Sequence, residues 1–156
     1  MFYNYYNKND ILNRLKKIKE PKGYLESIHI IGEDITFRFY NKQSNLIYAH
    51  CNNQIKETKY GNSSLRNSQS SIGEELIVDN IIYPLDKAIE IPKEVLKKKY
   101  SKIHILQEFI VITNKRYSIT IMVGIGNPAF TRNYTLTMSI DSTNGKIINQ
   151  SLKSLH

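Results

Sequence analysis

A change in the spacing of apolar residues near Tyr100 constrains the fold more than any other feature of the sequence. Upstream of it, apolar residues recur at the spacing of a helix: Leu85, Ala88, Ile89, Val95 and Leu96. Downstream, segments 103–113, 117–124 and 134–141 alternate as strands do, and a last strand begins at Lys146 after a turn at 141–145. The pattern predicts an α+β fold, with helices packed on a curved, cone-like antiparallel sheet.

Proline interrupts the helical segment. Pro84 is a natural place for the helix to start, because its missing N–H costs least in a first turn. Pro92 lies eight residues further on and predicts either a kink or a fresh start of the helix over residues 92–100.

The first half of the chain repeats this order of helix and strands. Four apolar residues share a helix face: Ile11, Leu12, Leu15 and Ile18. Asn9 or Asp10 is the expected cap, and residues 20–23 end the helix. Strands follow at 24–31, 34–40 and 46–50, with a tight turn at Gly32-Glu33 and the third strand continuing through residues 55–60.

The length of 156 residues is typical of one domain, and 40% hydrophobic with 23% charged residues is typical of a globular chain. Residues 61–73 are polar and rich in serine, which predicts a flexible loop within a single domain spanning residues 1–156. A linker between two small domains is the alternative, although both flanks are short for independent cores.

Cellular compartment is indicated only indirectly. No apolar run is long enough to cross a bilayer, and the first residues lack the pattern of a secretory signal, so we expect a cytoplasmic protein. The single cysteine, Cys51, excludes an internal disulfide and a zinc site built on several thiolates.

The net charge of +8 comes from both ends of the chain, because residues 61–100 are balanced. Codon bias in an AT-rich genome explains this excess as well as selection for a basic surface that binds anionic partners. Lys97, Lys98 and Lys99 close the second helix, where cations complement the helix dipole. Alternatively they form a partner-binding ridge together with Arg116 and Arg132.

Residues suited to catalysis or metal binding are scattered. His50 and Cys51 are adjacent, so in a strand they point to opposite faces, and Cys51 is expected to be a buried apolar residue. His104 and Glu108 are expected on one strand face about 13 Å apart, too far to share a metal. An enzyme would need His29, His104 and an acid such as Asp79 or Glu108 to converge.

Two loops resemble ligand-binding motifs but lack residues that those motifs need. Residues 124–128 lack the third glycine and the lysine of a phosphate loop, and residues 141–145 lack the twelfth-position glutamate of a calcium loop. Both predict turns, and we expect no enzyme activity, metal or cofactor.

The second half resembles a known family. The segments that carry the resemblance are 83–91 and 95–100, the pair Glu108-Phe109, and 140–148 with its Asn-Gly-Lys-Ile ending. Over residues 83–149 they are similar to an immunity-protein family of bacterial polymorphic-toxin systems, which has a cone-shaped nuclear-transport-factor-like (cystatin-like) fold. Arg116-Tyr117 stands where that family carries tryptophan, and Ser101 where glycine is usual. Peptidase-propeptide-like modules are a second resemblance.

The first resemblance implies a small non-catalytic protein that binds one cognate toxin domain and blocks it. Proteins that neutralise nucleases are usually acidic, so a chain of charge +8 predicts an acidic or neutral toxin domain as partner. The alternative is a basic protein that binds nucleic acid or another anionic surface, although no helix-turn-helix or aromatic RNA-binding motif is present.

Overall fold

The computed structural model describes residues 7–59, 74–126 and 132–155. Its elements in chain order are α1 (Lys8–Lys16), β1 (Tyr24–Ile31), β2 (Asp34–Asn41), β3 (Leu46–Cys51), β4 (Gln54–Lys59), a 3-10 turn (Val78–Asn80), α2 (Leu85–Lys99), β5 (Ile103–Thr113), β6 (Arg116–Ile125), β7 (Arg132–Asp141) and β8 (Ile147–Leu155). The expected loop at 61–73 lies outside the described residues.

The eight strands of the described residues form one antiparallel sheet in the order β4-β3-β2-β1-β5-β6-β7-β8. Each half of the chain contributes a meander of four consecutive strands. The two meanders meet where β1 pairs with β5, with Ile28 opposite Ile112 and Ile31 opposite Phe109. The α+β prediction with an antiparallel sheet is therefore confirmed, with the sheet as the dominant part, while the cone-like curvature stays a prediction.

The hydrophobic core lies on one face of this sheet. Alternate residues along the strands are buried, as in the run Ile119, Ile121 and Val123 of β6, each 0% exposed. The core cluster also takes in Ile11 of α1 and the apolar side of α2. Both helices therefore contribute to the same side of the sheet.

Helix α2 lies against β6 and β7. Six of its residues are buried, at the three- and four-residue spacing of one helix face: Leu85, Ala88, Ile89, Pro92, Lys93 and Leu96. The helix continues unbroken through Pro92, so the prediction of a fresh start there was wrong. Burial of the proline ring in the core offsets the loss of one backbone hydrogen bond.

Two predicted boundaries in the first half were also wrong. Asn7, not Asn9 or Asp10, caps α1, because its side chain accepts a hydrogen bond from Asp10 N at 2.9 Å. The third strand does not continue to residue 60, because Asn52 and Asn53 adopt positive φ values of 51° and 64° and turn the chain back as β4.

Cys51 is half-exposed instead of buried, because β3 ends there beside the edge strand β4. It does point to the face opposite His50, whose ring packs edge-on against Phe39 with 5.2 Å between centroids. In the part of the chain that the structure describes, no helix is long and apolar enough to cross a membrane.

Candidate functional site

The predicted basic ridge is divided between two ends of the sheet. Lys97, Lys98 and Lys99 are exposed in the last turn of α2, and we call them the α2 lysines. Tyr100, the next residue, stacks on Tyr134 of β7 at 6.2 Å, which places this helix end near the start of β7 and near Arg132. Arg132 is paired with Ile125, nine residues along β6 from Arg116, so Arg116 lies about 30 Å away at the other end.

The face of the sheet opposite the core carries no helix among the described residues, and we call it the open face. The strand register places alternate residues there, beginning with His29, Val111 and Ser118, which lie opposite one another across β1, β5 and β6. Most of these side chains are half-exposed. Five of them are short and polar, and two arginines and one phenylalanine accompany them: Thr36, Ser118, Thr120, Thr135 and Thr137, with Arg38, Arg116 and Phe109. This mixture of hydroxyl, aromatic and arginine side chains suits recognition of another macromolecule.

A step interrupts the sheet at its centre. Strand β1 pairs only with residues 109–112 of β5 and then turns away at Gly32-Glu33. Within the described part of the chain, no strand pairs with Ile103–Gln107 on the side where β1 would continue. We call this segment the β5 step.

A β-bulge lies within the β5 step. Ile105 pairs with Val123 and Gln107 with Met122, so Leu106 is an extra residue without a partner in β6. The extra residue puts His104 and Glu108 on opposite faces of the sheet. The expectation that they share a face was therefore wrong.

Glu108 faces the core and forms a buried ion pair with α2. Its carboxylate lies 2.9 Å from Nζ of Lys93, and the two side chains are 4% and 11% exposed. Glu90 lies 3.8 Å from the same ammonium at the surface. Because each buried charge compensates the other, this pair favours one placement of α2 over the sheet.

His29 belongs to a polar cluster on β1 and β2. Arg38, which has only donors, donates from Nη1 to Nε2 of His29 at 3.3 Å. Burial, and secondly the Arg38 charge, lower the pKa of His29 to about 4. Ser27 Oγ lies 3.2 Å from the same nitrogen but donates its proton to Glu26 at 2.7 Å. A neutral imidazole whose Nε2 already accepts from Arg38 is not placed to deprotonate Ser27.

The residues that an enzyme would need do not converge. His29 lies opposite Val111, seven residues along β5 from His104, which corresponds to about 23 Å. Glu108 faces the core, away from both histidines, and Asp79 lies in the separate 3-10 turn. Among residues 7–59, 74–126 and 132–155, no group of three or more potential ligands is placed to hold a metal ion.

The 141–145 turn, predicted from Asn-Gly, anchors the chain before α2. Ser142 O accepts hydrogen bonds from Ile82 N at 2.9 Å and from Tyr83 N at 2.8 Å. Gly145 has a φ of +79°, and a Cβ there would lie 2.4 Å from the Tyr83 ring. Hydrogen bonds from Thr143 lower the pKa of Asp141. The Ser142 carbonyl and the Asp141 carboxylate of this turn therefore serve internal contacts.

A pocket of about 310 Å³ lies between the starts of the two helices, lined by Asn7, Ile11, Pro84, Asp86 and Tyr117 among others. The Tyr117 hydroxyl donates to the Tyr83 carbonyl at 2.5 Å. Burial, and secondly the nearby Asp86 charge, raise the pKa of Tyr117. The Tyr117 phenol that lines this pocket is thus engaged in a structural hydrogen bond.

Signals for the buried ion pair were present in the sequence. Lys93 occupies a core-facing position between Ile89 and Leu96, and Glu108 alternates in phase with Ile110 and Ile112. The β5 step had no such signal, because it depends on where β1 meets β5. Comparison of the chain with protein-family models, with curated proteins and with solved structures found no match.

Proposed function

We propose that this chain is a non-catalytic protein-binding module, and specifically an immunity protein that binds and neutralises a cognate bacterial toxin domain. The observation that carries the proposal is the open face. An eight-stranded sheet covers its core with both helices on one side and presents half-exposed polar and aromatic side chains on the other. The immunity-type resemblance of residues 83–149 supplies the specific class of partner.

The open face is large enough for a stable interface. Eight strands spaced about 4.8 Å apart and about six residues long give a surface on the order of 700 Å². A standard protein–protein interface buries about 800 Å² on each partner. The open face together with its rim is therefore of the right size for one folded partner.

Ionisable side chains that would be natural choices for chemistry serve internal contacts. Glu108 forms an ion pair with Lys93, and His29 accepts a hydrogen bond from Arg38. The Tyr117 hydroxyl donates a hydrogen bond to the Tyr83 carbonyl. Each contact stabilises the fold, which supports a role in binding over a role in turnover.

Charge supports an acidic or neutral partner. The α2 lysines and Lys102 are exposed at one end of the sheet, and residues 97–107 contain no aspartate or glutamate. Such a surface attracts an acidic domain and repels a basic nuclease domain. The same lysines are the observation that favours the second candidate, a protein that binds nucleic acid.

Co-expression tests the proposal. The chain is produced in a bacterium together with a toxin domain encoded immediately upstream in the source genome. We expect growth to be restored and a one-to-one complex in size-exclusion chromatography with light scattering. Replacing the α2 lysines by glutamate should slow association, whereas Lys56→Glu with Lys59→Glu on the distant edge strand β4 is the matched control.

Failure of the chain to restore growth would contradict the proposal. If the chain instead binds a DNA duplex with an affinity that falls steeply as salt rises, the nucleic-acid candidate is correct.

A further inference from the structure

The β5 step is an exposed strand edge inside the sheet, not at its border. An edge of this kind presents backbone N–H and C=O groups without a neighbouring strand, and another chain can pair with them. Three side chains at this edge are exposed and apolar: Ile105 is 37% exposed, Leu106 55%, and Ile31, at the end of β1, 46%. A partner strand would bury all three.

The border strand β4 differs from the β5 step in charge. β4 carries Lys56, Glu57 and Lys59 within six residues, whereas β8 carries one lysine, Lys153, near its end. Lysine on an edge strand disfavours pairing with another chain. Ile103–Gln107 contains no lysine, arginine, aspartate or glutamate, so the β5 step lacks that protection.

Positive charge adjoins one end of the β5 step. Lys102 directly precedes Ile103. Lys99 lies four residues before Ile103, so the Cα atoms of Lys99 and Ile103 are at most about 14 Å apart. At the opposite end, Glu33 lies in the turn after β1 and Asp34 begins β2. A segment lying here is therefore attracted most strongly if it is acidic at the end that faces Lys102.

We propose that an extended segment of the partner toxin domain adds to the sheet as a short strand paired with Ile103–Gln107, in line with β1. This segment has apolar residues at alternate positions and acidic residues toward Lys102. The bulge at Leu106 limits regular pairing to about four residues, so the flanking charges contribute much of the specificity. The inference rests on the proposed function, because it names the contact through which the toxin is held.

A synthetic peptide tests the contact independently of any toxin. The probe is a capped hexapeptide that alternates valine and glutamate, and the control probe replaces glutamate by lysine. Titration into the full chain, followed by amide NMR, should shift resonances of Ile103–Gln107. We expect at least fivefold weaker binding of the lysine peptide, and loss of the preference for the glutamate peptide in high salt.

Two test variants and one control variant locate the binding site. Leu106→Lys places a charge on the edge and should weaken glutamate-peptide binding at least tenfold, while Ile55→Lys, at an equally exposed apolar position of β4 (61%), should leave it unchanged. Lys102→Glu should reverse the preference between the two peptides. Circular dichroism melts of each variant confirm folding.

The proposal is overturned if the peptide shifts only β4 or β8 resonances, if no shift reaches the β5 step, or if dilution shows that a second copy of the chain occupies it. Growth rescue separates the two proposals. If Leu106→Lys protects against the toxin as well as the native chain, this inference fails while the immunity function stands; if the native chain does not protect, the function itself fails.

Discussion

The two halves of the chain share a topology but differ in how much they bury. Each is a helix followed by a four-stranded meander, and the sheet order is symmetric about the β1–β5 junction. α1 has nine residues and one buried side chain, Ile11, whereas α2 has fifteen residues and six that are buried. Every residue of β4 is exposed. The same order of elements therefore buries far more of the helix in the second half than in the first.

Strand length explains part of this difference. β5, β6 and β7 have 10 or 11 residues, while β3 and β4 have six. Longer strands offer more core-facing positions to a longer helix, and buried apolar area is the main source of stability. We expect the second half to determine global stability and the first half to open more readily.

Breaking the buried ion pair should have the largest effect. Glu108→Leu leaves the Lys93 ammonium in the core without its partner carboxylate at 2.9 Å, and we expect a loss of about 3–5 kcal/mol in the free energy of unfolding. Urea denaturation measures it. The double variant with Lys93→Met should recover most of the loss. A loss below 1 kcal/mol in the single variant would show that the pair does not hold α2 in place.

One leucine in each helix allows a direct comparison of how much the two helices contribute to stability. Leu96 of α2 is 1% exposed, and Leu96→Ala should cost about 2–5 kcal/mol through the cavity it leaves. Leu15 of α1 is only partly buried against the same core, so Leu15→Ala should cost less than half as much. Equal losses in thermal denaturation would contradict the unequal halves.

We expect His29, in the first half, to make the stability of the fold sensitive to acid. The pKa of His29 is lowered to about 4 in the folded chain, below its unfolded value of 6.5. The unfolded chain therefore binds more protons between these values, so stability is fully present above pH 6.5 and falls as pH decreases to about 4. The loss is on the order of 2 kcal/mol for a half-buried group. His29→Gln should flatten this part of the stability–pH profile; an unchanged profile would assign the acid response elsewhere.

Substitution of one glycine in each half should give the smallest difference in lost stability between the halves. Gly145→Ala in the second half places a Cβ 2.4 Å from the Tyr83 ring at a φ of +79°, and we expect a loss of about 2–3 kcal/mol. Gly32→Ala in the first half has a φ of +59° but nothing within 4 Å, so only the backbone term of about 1 kcal/mol remains. A larger loss at Gly32 in chemical denaturation would contradict this ranking.

Local patterns predicted much of the fold because they depend on neighbouring residues. Strands Tyr24–Ile31 and Ile103–Thr113 begin and end where alternation predicted. Pro92 did not restart α2, because tertiary burial outweighed the lost hydrogen bond. The faces of His104 and Glu108 were wrong because one bulge changes the register, which periodicity alone does not reveal.

The candidate site was less predictable for a similar reason. The α2 lysines are consecutive and could be predicted from the sequence. The separation of Arg116 from Arg132 could not, because it depends on how β6 pairs with β7. The open face and the β5 step arise from the long-range contact between β1 and β5, residues about 80 apart in the chain, and no local pattern encodes it.

Amide hydrogen exchange of the free chain, followed residue by residue, tests the central claim most directly. Amides of α2 and of β5, β6 and β7 should exchange slowest, close to the rate of global unfolding, while β3 and β4 should exchange orders of magnitude faster through local opening. Protection of β3 and β4 equal to that of β6 would contradict the account of one topology with two unequal halves.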